Sequence, residues 1–143
     1  VGVGQGAVEG LAMSEATIRK YYAAFDARDW DGMCALMTDD VAHDVCQGPR
    51  QTGRAAFRKF LDHMDRCYSE KTRDLVVFVD PTGMRAAAEF DLDGTYLSTD
   101  APHPPARGQK YTLRVGAFFN LRDGRIARVA NHYNVADWLA QIR

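Results

Sequence analysis

The chain has 143 residues, 46% hydrophobic and 26% charged, with a net charge of −1. That size and composition suit one soluble domain with a sizeable core. The near-zero charge gives no field to draw it to nucleic acid or an anionic membrane, so neither is expected as a partner. No apolar run is long enough to span a membrane.

The start, VGVGQGAVEGLA, has no basic segment followed by an apolar one, so it does not read as a secretory signal. Its glycines follow no predicted strand, which weakens any nucleotide-loop reading. Residues 1–12 are expected to form a flexible leader, with Met13 as the natural start. Ser14 is positioned to cap a first helix over about 15–27, whose apolar stripe is Ile18, Tyr21, Tyr22 and Phe25. Asp29 can cap a second, shorter helix, with Trp30 and Met33 inward. DDVAHDV (39–45) alternates as a strand, QGPRQTGR (47–54) reads as a loop, and 54–68 carries the clearest helical stripe: Phe57, Phe60, Leu61, Met64 and Cys67.

From residue 72 the period becomes two. Strands are predicted over 73–79, 84–97, 110–121 and 125–134. Gly94 suggests a bulge or bend in the second of these. STDAPHPPARGQ (98–109) is a proline loop that reads equally as a lid over a cavity or as a plain surface connection. The turn at 122–125 carries the Asp-Gly hairpin signal, and VADWLAQI closes the chain as one or two helical turns. The order predicts an α+β fold: three N-terminal helices on one face of a bent, mostly antiparallel sheet. Such an arrangement makes a cone with a cavity at its open end.

Cys34, Cys46 and Cys67 cannot all pair within the chain, match no CxxC or zinc spacing and read as reduced thiols, which points to the cytoplasm. The four histidines show no HxH or HxxxH pattern, so no metal is expected. No cofactor motif is present either.

His43 shares its parity with Val41 and Val45, so the strand places it on the apolar face. It is either a hydrogen-bonded core residue or an ionisable group in a cavity. An imidazole can take or give a proton near neutral pH.

The stretch KYYAAFDARDWDGMCALMTDDVAHDV, the Gly-Arg entry to helix three and AFFNLRDGRIARVANHYNVADW resemble the ketosteroid isomerase-like proteins. These belong to the NTF2-like superfamily, which includes SnoaL-type polyketide cyclases. The resemblance covers roughly 14–142 and implies a pocket between the helices and the concave sheet face. Ketosteroid isomerases use an aspartate base, and a tyrosine with a protonated aspartate as oxyanion donors. The register puts the tyrosine at Tyr21, the base position at Val45 and the second aspartate at about Ala117. One of the three is therefore matched, which argues against authentic steroid isomerisation. A bulge would be needed to turn the neighbouring Asp44 inward.

The same comparison implies that Val129, Asn131 and Tyr133 face the pocket, with Phe25, Leu113 and Val115 as walls. It also implies that His132 lies on the outer face, where a homodimer would form near Phe118 and Arg114. Glu89 and Asp91 read as convex-face charges unless a bend at Gly94 inverts them. Tyr22 is expected in the helix–helix seam and His63 exposed.

The leading expectation is a small enzyme performing cofactor-free proton transfer on an apolar carbonyl or hydroxyl compound. His43 would be its acid or base and Tyr21 its oxygen donor, with Asn131 and Tyr133 assisting. The alternatives are a non-catalytic hydrophobic-ligand binder and a dimerisation scaffold.

Overall fold

A computed structural model describes residues 3–143, which form four helices and six strands. In chain order these are α1 (Val3–Asp26), α2 (Trp30–Ala35), β1 (Met37–Asp44), β2 (Arg50–Thr52), α3 (Arg54–Cys67), β3 (Tyr68–Val79), β4 (Arg85–Tyr96), β5 (Lys110–Arg122), β6 (Arg125–His132) and α4 (Val135–Ile142). The strands make one sheet in the order β2-β1-β6-β5-β4-β3. β1 runs parallel to β6 and every other pairing is antiparallel.

Helix α1 starts earlier than the sequence predicts. The stretch 3–12, expected as a flexible leader, is helical, and Ser14 is interior to the helix rather than its cap. The Ser14 side chain is buried and its hydroxyl donates to the carbonyl of Gly83, 2.6 Å away. Thr17, one turn on, donates to the carbonyl of Gly124 at 2.9 Å. Together with Ile18, Tyr21 and Tyr22, these residues form a buried stripe at i, i+3, i+4, i+7 and i+8. Two of its members therefore anchor sheet turns, a use of serine and threonine that a capping rule does not anticipate.

Asp29 caps α2 as expected, accepting from the backbone N–H of Gly32 at 2.9 Å. The Asp-Gly turn between β5 and β6 holds Asp123 and Gly124 at φ 52° and 74°, the geometry of a two-residue hairpin. The loop expected over 47–54 contains the three-residue edge strand β2. The closing segment is the eight-residue helix α4, capped by the Asn134 side chain.

β3 begins at Tyr68, five residues before the predicted start at residue 73. Its register with β4 shifts between Arg73 and Val76, with Asp74 at φ 58°. This bulge changes which parity faces inward. Gly94, by contrast, is no bulge: β4 pairs without interruption on both sides of it, with Glu70 and with Tyr111.

The core lies between the helices and the inner sheet face. Ala86, Ala88, Phe90 and Leu92 from β4 are buried, as are Leu113, Val115, Ala117 and Phe119 from β5. The ring centroid of Phe119 lies 5.6 Å from that of Tyr21 and 6.1 Å from that of Tyr22, edge to face in both cases. All three cysteines are free. Among the described residues, no helix is long and apolar enough to cross a membrane.

Candidate functional site

A cavity of about 450 Å³ separates the helices from the concave sheet face. Its apolar walls come from Phe57, Phe60 and Leu61 on α3, and from Phe90, Leu113 and Val115 on the sheet. Phe60 and Met64 lie on the α3 stripe yet remain only half-buried, because the space they face is open.

His43 points inward from β1 as its parity predicts, is 2% exposed and lines this cavity. Its ring meets Phe57 and Phe60 edge-on at centroid distances of 5.0 and 4.6 Å. Nδ1 is buried and has no hydrogen-bond partner among the described residues. Burial lowers its affinity for a proton; Gln51 and Asp44 oppose that more weakly. The result favours a neutral imidazole.

Tyr21, Phe25, Val45, Leu113, Val115, Asn131 and Tyr133 line the same cavity, so most of the expected site residues do converge. Burial pushes the Tyr21 phenol above the ordinary range, with Cys34 adding to the effect. Burial likewise raises Tyr133, to about 12, with smaller contributions from Cys46 and Glu70.

Ala117 and Val129 do not reach the cavity. Both face inward, but they are fully buried and absent from its lining. Phe119 and the tyrosines of α1 fill the cone at that end, and short side chains beneath them touch only protein. Tyr22, expected in the helix seam, packs on Phe90 at 4.8 Å and lines the cavity instead.

Asp44 stays outside. Arg50 holds it at 2.6 Å and Arg128 at 2.8 Å, and these bonds, Arg50 first, depress its carboxyl to about 2. Glu89 and Asp91 are also on the outer face, paired with Arg114 and Arg73. No aspartate occupies either of the isomerase positions.

The cavity groups that the sequence did not point to include Glu70, Asp100 and His103. Glu70 lies on the missed first half of β3 and accepts a 2.6 Å hydrogen bond from the Tyr111 hydroxyl. Asp100 and His103 come from the proline loop. The loop is a fixed wall: the Tyr96 hydroxyl donates to Pro104 and accepts from the backbone of Asp100, both at 2.8 Å. Gln109 ties it to α4 through the carbonyl of Ile142 at 2.7 Å.

Asp100 also accepts from Tyr68 at 2.7 Å and pairs with His63 at 2.9 Å, whose side chain remains partly exposed. His63, Cys67 and Asp100 have ligand atoms within 4.8 Å of one another, the one such set among the described residues. The carboxylate in it is already engaged by two partners. No spacing rule could pair Asp100 with His63, 37 residues earlier.

A curved mixed sheet closed by helices around an apolar cavity is the NTF2-like cone, and the chain has that α+β fold. Residues 18–129 match the SnoaL-like domain, and the chain belongs to that family. A provisionally named polyketide cyclase from Xanthomonas campestris pv. campestris is 46% identical, with TM-score 0.92, over 94% of this chain and 99% of that one. Another from Pseudomonas putida KT2440 is 48% identical, with TM-score 0.88, over 89% and 96%. A protein from Kribbella flavida, provisionally named a ketosteroid isomerase, is 21% identical with TM-score 0.60, over 87% and 79%, and shares the fold alone. A comparison with curated protein sequences found no match.

Proposed function

We propose that this SnoaL-like protein is a small-pocket enzyme that moves protons on an apolar carbonyl or hydroxylated molecule without a cofactor. Isomerisation, cyclisation and dehydration are the reactions within reach. The carrying observation is a buried imidazole on the wall of an apolar cavity, with Nδ1 unpartnered among the described residues. Desolvation leaves His43 free to accept a proton at neutral pH. Tyr21 supplies a hydrogen bond to the substrate oxygen, and Asn131 and Tyr133 orient it. The provisional names of the 46–48% identical relatives support the polyketide-like end of this substrate range.

The test is α-proton exchange on a panel of ketones in D2O. The wild type is expected to exceed buffer, and His43→Ala to lose about a hundredfold of that rate. Unchanged turnover in the variant removes His43 from the chemistry.

A non-catalytic ligand binder is the second reading. It is favoured by the tight fit of His43 between two phenylalanines and by the absence of carboxylates at Val45 and Ala117. A ligand that binds while His43 neither titrates nor affects exchange would select it.

We also propose that two copies pair through the outer sheet face. Val76, Phe78 and Phe118 are 47%, 55% and 46% exposed there, and His132 stands edge-on to Phe118. Arg114 and Glu89 flank the patch, so a two-fold contact can set each arginine against the other copy's glutamate. Phe118→Asp is expected to turn a dimer into a monomer in sedimentation; a wild type already monomeric at micromolar concentration removes the proposal.

A further inference from the structure

Glu70, Gly94 and Tyr111 form one rung across three strands. Glu70 on β3 pairs with Gly94 on β4, and Gly94 pairs with Tyr111 on β5. The Tyr111 ring lies across the glycine: a Cβ at position 94 would stand 2.2 Å from its Cζ. Any side chain there would evict the ring. With glycine, the hydroxyl reaches over the middle strand and donates to Oε2 of Glu70 at 2.6 Å. Among the described residues, no group bonds Oε1, and Glu70 is one of the residues that line the cavity.

Tyr111 supplies the one side-chain hydrogen bond to the Glu70 carboxyl among the described residues. No arginine or lysine forms an ion pair with it among the described residues. A glutamine would accept the same bond from Tyr111 without the desolvation cost of a charge. What glutamate adds at this position is a proton that can be given and taken back. Burial raises its proton affinity, and the Tyr111 bond offsets part of that rise.

We propose that Glu70 is a catalytic residue of this cavity, the carboxyl that hands a proton to the oxygen of a bound ketone, with Tyr111 and Gly94 as its positioning residues. This rests on the proton-transfer reading above. Neutral Glu70 gives its proton to the carbonyl oxygen, whose π pair becomes the O–H bond. His43 takes the α-proton, and the C–H pair becomes the C=C bond of the enol. Glu70 is left as a carboxylate steadied by the Tyr111 hydroxyl. The cycle closes when carbon recovers a proton from the imidazolium and the enol O–H proton returns to Glu70.

The experiment uses the full chain with 2-tetralone as the ketone, exchange followed by NMR in D2O, and with 2-naphthol as an enol-like ligand whose fluorescence reports binding. Glu70→Gln is expected to lower kcat about a hundredfold while 2-naphthol affinity holds within about threefold. Tyr111→Phe keeps the ring and leaves the carboxyl in place, and is expected to lower kcat about tenfold with KM unchanged. If Glu70→Gln does not fold, this kcat–KM split in Tyr111→Phe decides the question. Wild-type exchange in Glu70→Gln, with His43→Ala impaired, overturns the role of Glu70 and leaves the proposed function standing. No exchange by the wild type above buffer overturns both.

Discussion

Phe119→Ala is expected to destabilise the protein by about 4 kcal/mol, the upper part of the range for removing a buried ring, and to lower Tm by about 10 °C or more. Phe119 has no exposed surface. On β5 it pairs with Ala86 on one side and Val129 on the other, both too small to fill the space it would vacate. Above it sit the Tyr21 and Tyr22 rings, edge to face, so truncation forfeits two aromatic contacts as well as the transfer free energy of the ring. Those tyrosines are held by α1, whose Ser14 and Thr17 bonds to sheet turns resist inward collapse. Urea and thermal denaturation measure the loss. A change below about 1 kcal/mol, well under the usual range, would mean that this end of the cone repacks freely, contrary to the solid packing that keeps Ala117 and Val129 from the cavity.

Tyr22→Phe runs the other way, with an expected gain of about 1 kcal/mol and a rise in Tm of about 3 °C. The Tyr22 oxygen is buried and makes no hydrogen bond among the described residues. Its ring packs 4.8 Å from Phe90 and 5.0 Å from Tyr21, contacts that phenylalanine keeps. Burial drives the phenol well above its ordinary pKa, so the hydroxyl remains neutral and adds no useful charge. Removing the oxygen removes only an unsatisfied dipole. The same denaturation series checks it. A loss of stability would show that the hydroxyl has a hydrogen-bond partner within the folded protein.

The site was legible where it rested on local period. Strand parity placed His43 inward, because successive side chains of a strand must alternate. The helical stripe placed Phe57, Phe60 and Tyr21 on one side, and the Asp-Gly turn located the β5–β6 hairpin. Glu70 was not legible. The segment YSEKTR carries alternating charges that look solvated, and nothing local reveals that it continues β3 before a bulge changes the inward parity. Gly94 was misread for a related reason. A glycine in a strand marks either a bulge or a close approach, and only the Tyr111 ring across it selects the second.

By itself, the amino-acid order determined the α+β succession of elements and the inward face of most of them, His43 on β1 and Tyr21 on α1 included. Those properties follow from periodicities of two and of 3.6 residues, which neighbours along the chain suffice to set. Tertiary structure decided how far inward-facing residues reach: Asn131 and Tyr133 meet open space while Ala117 and Val129 meet packed rings. It also brought Glu70 to Tyr111, and Asp100 to His63 and Tyr68. Such meetings depend on strand register and on the volume left between layers, and both are properties of the assembled sheet and helices.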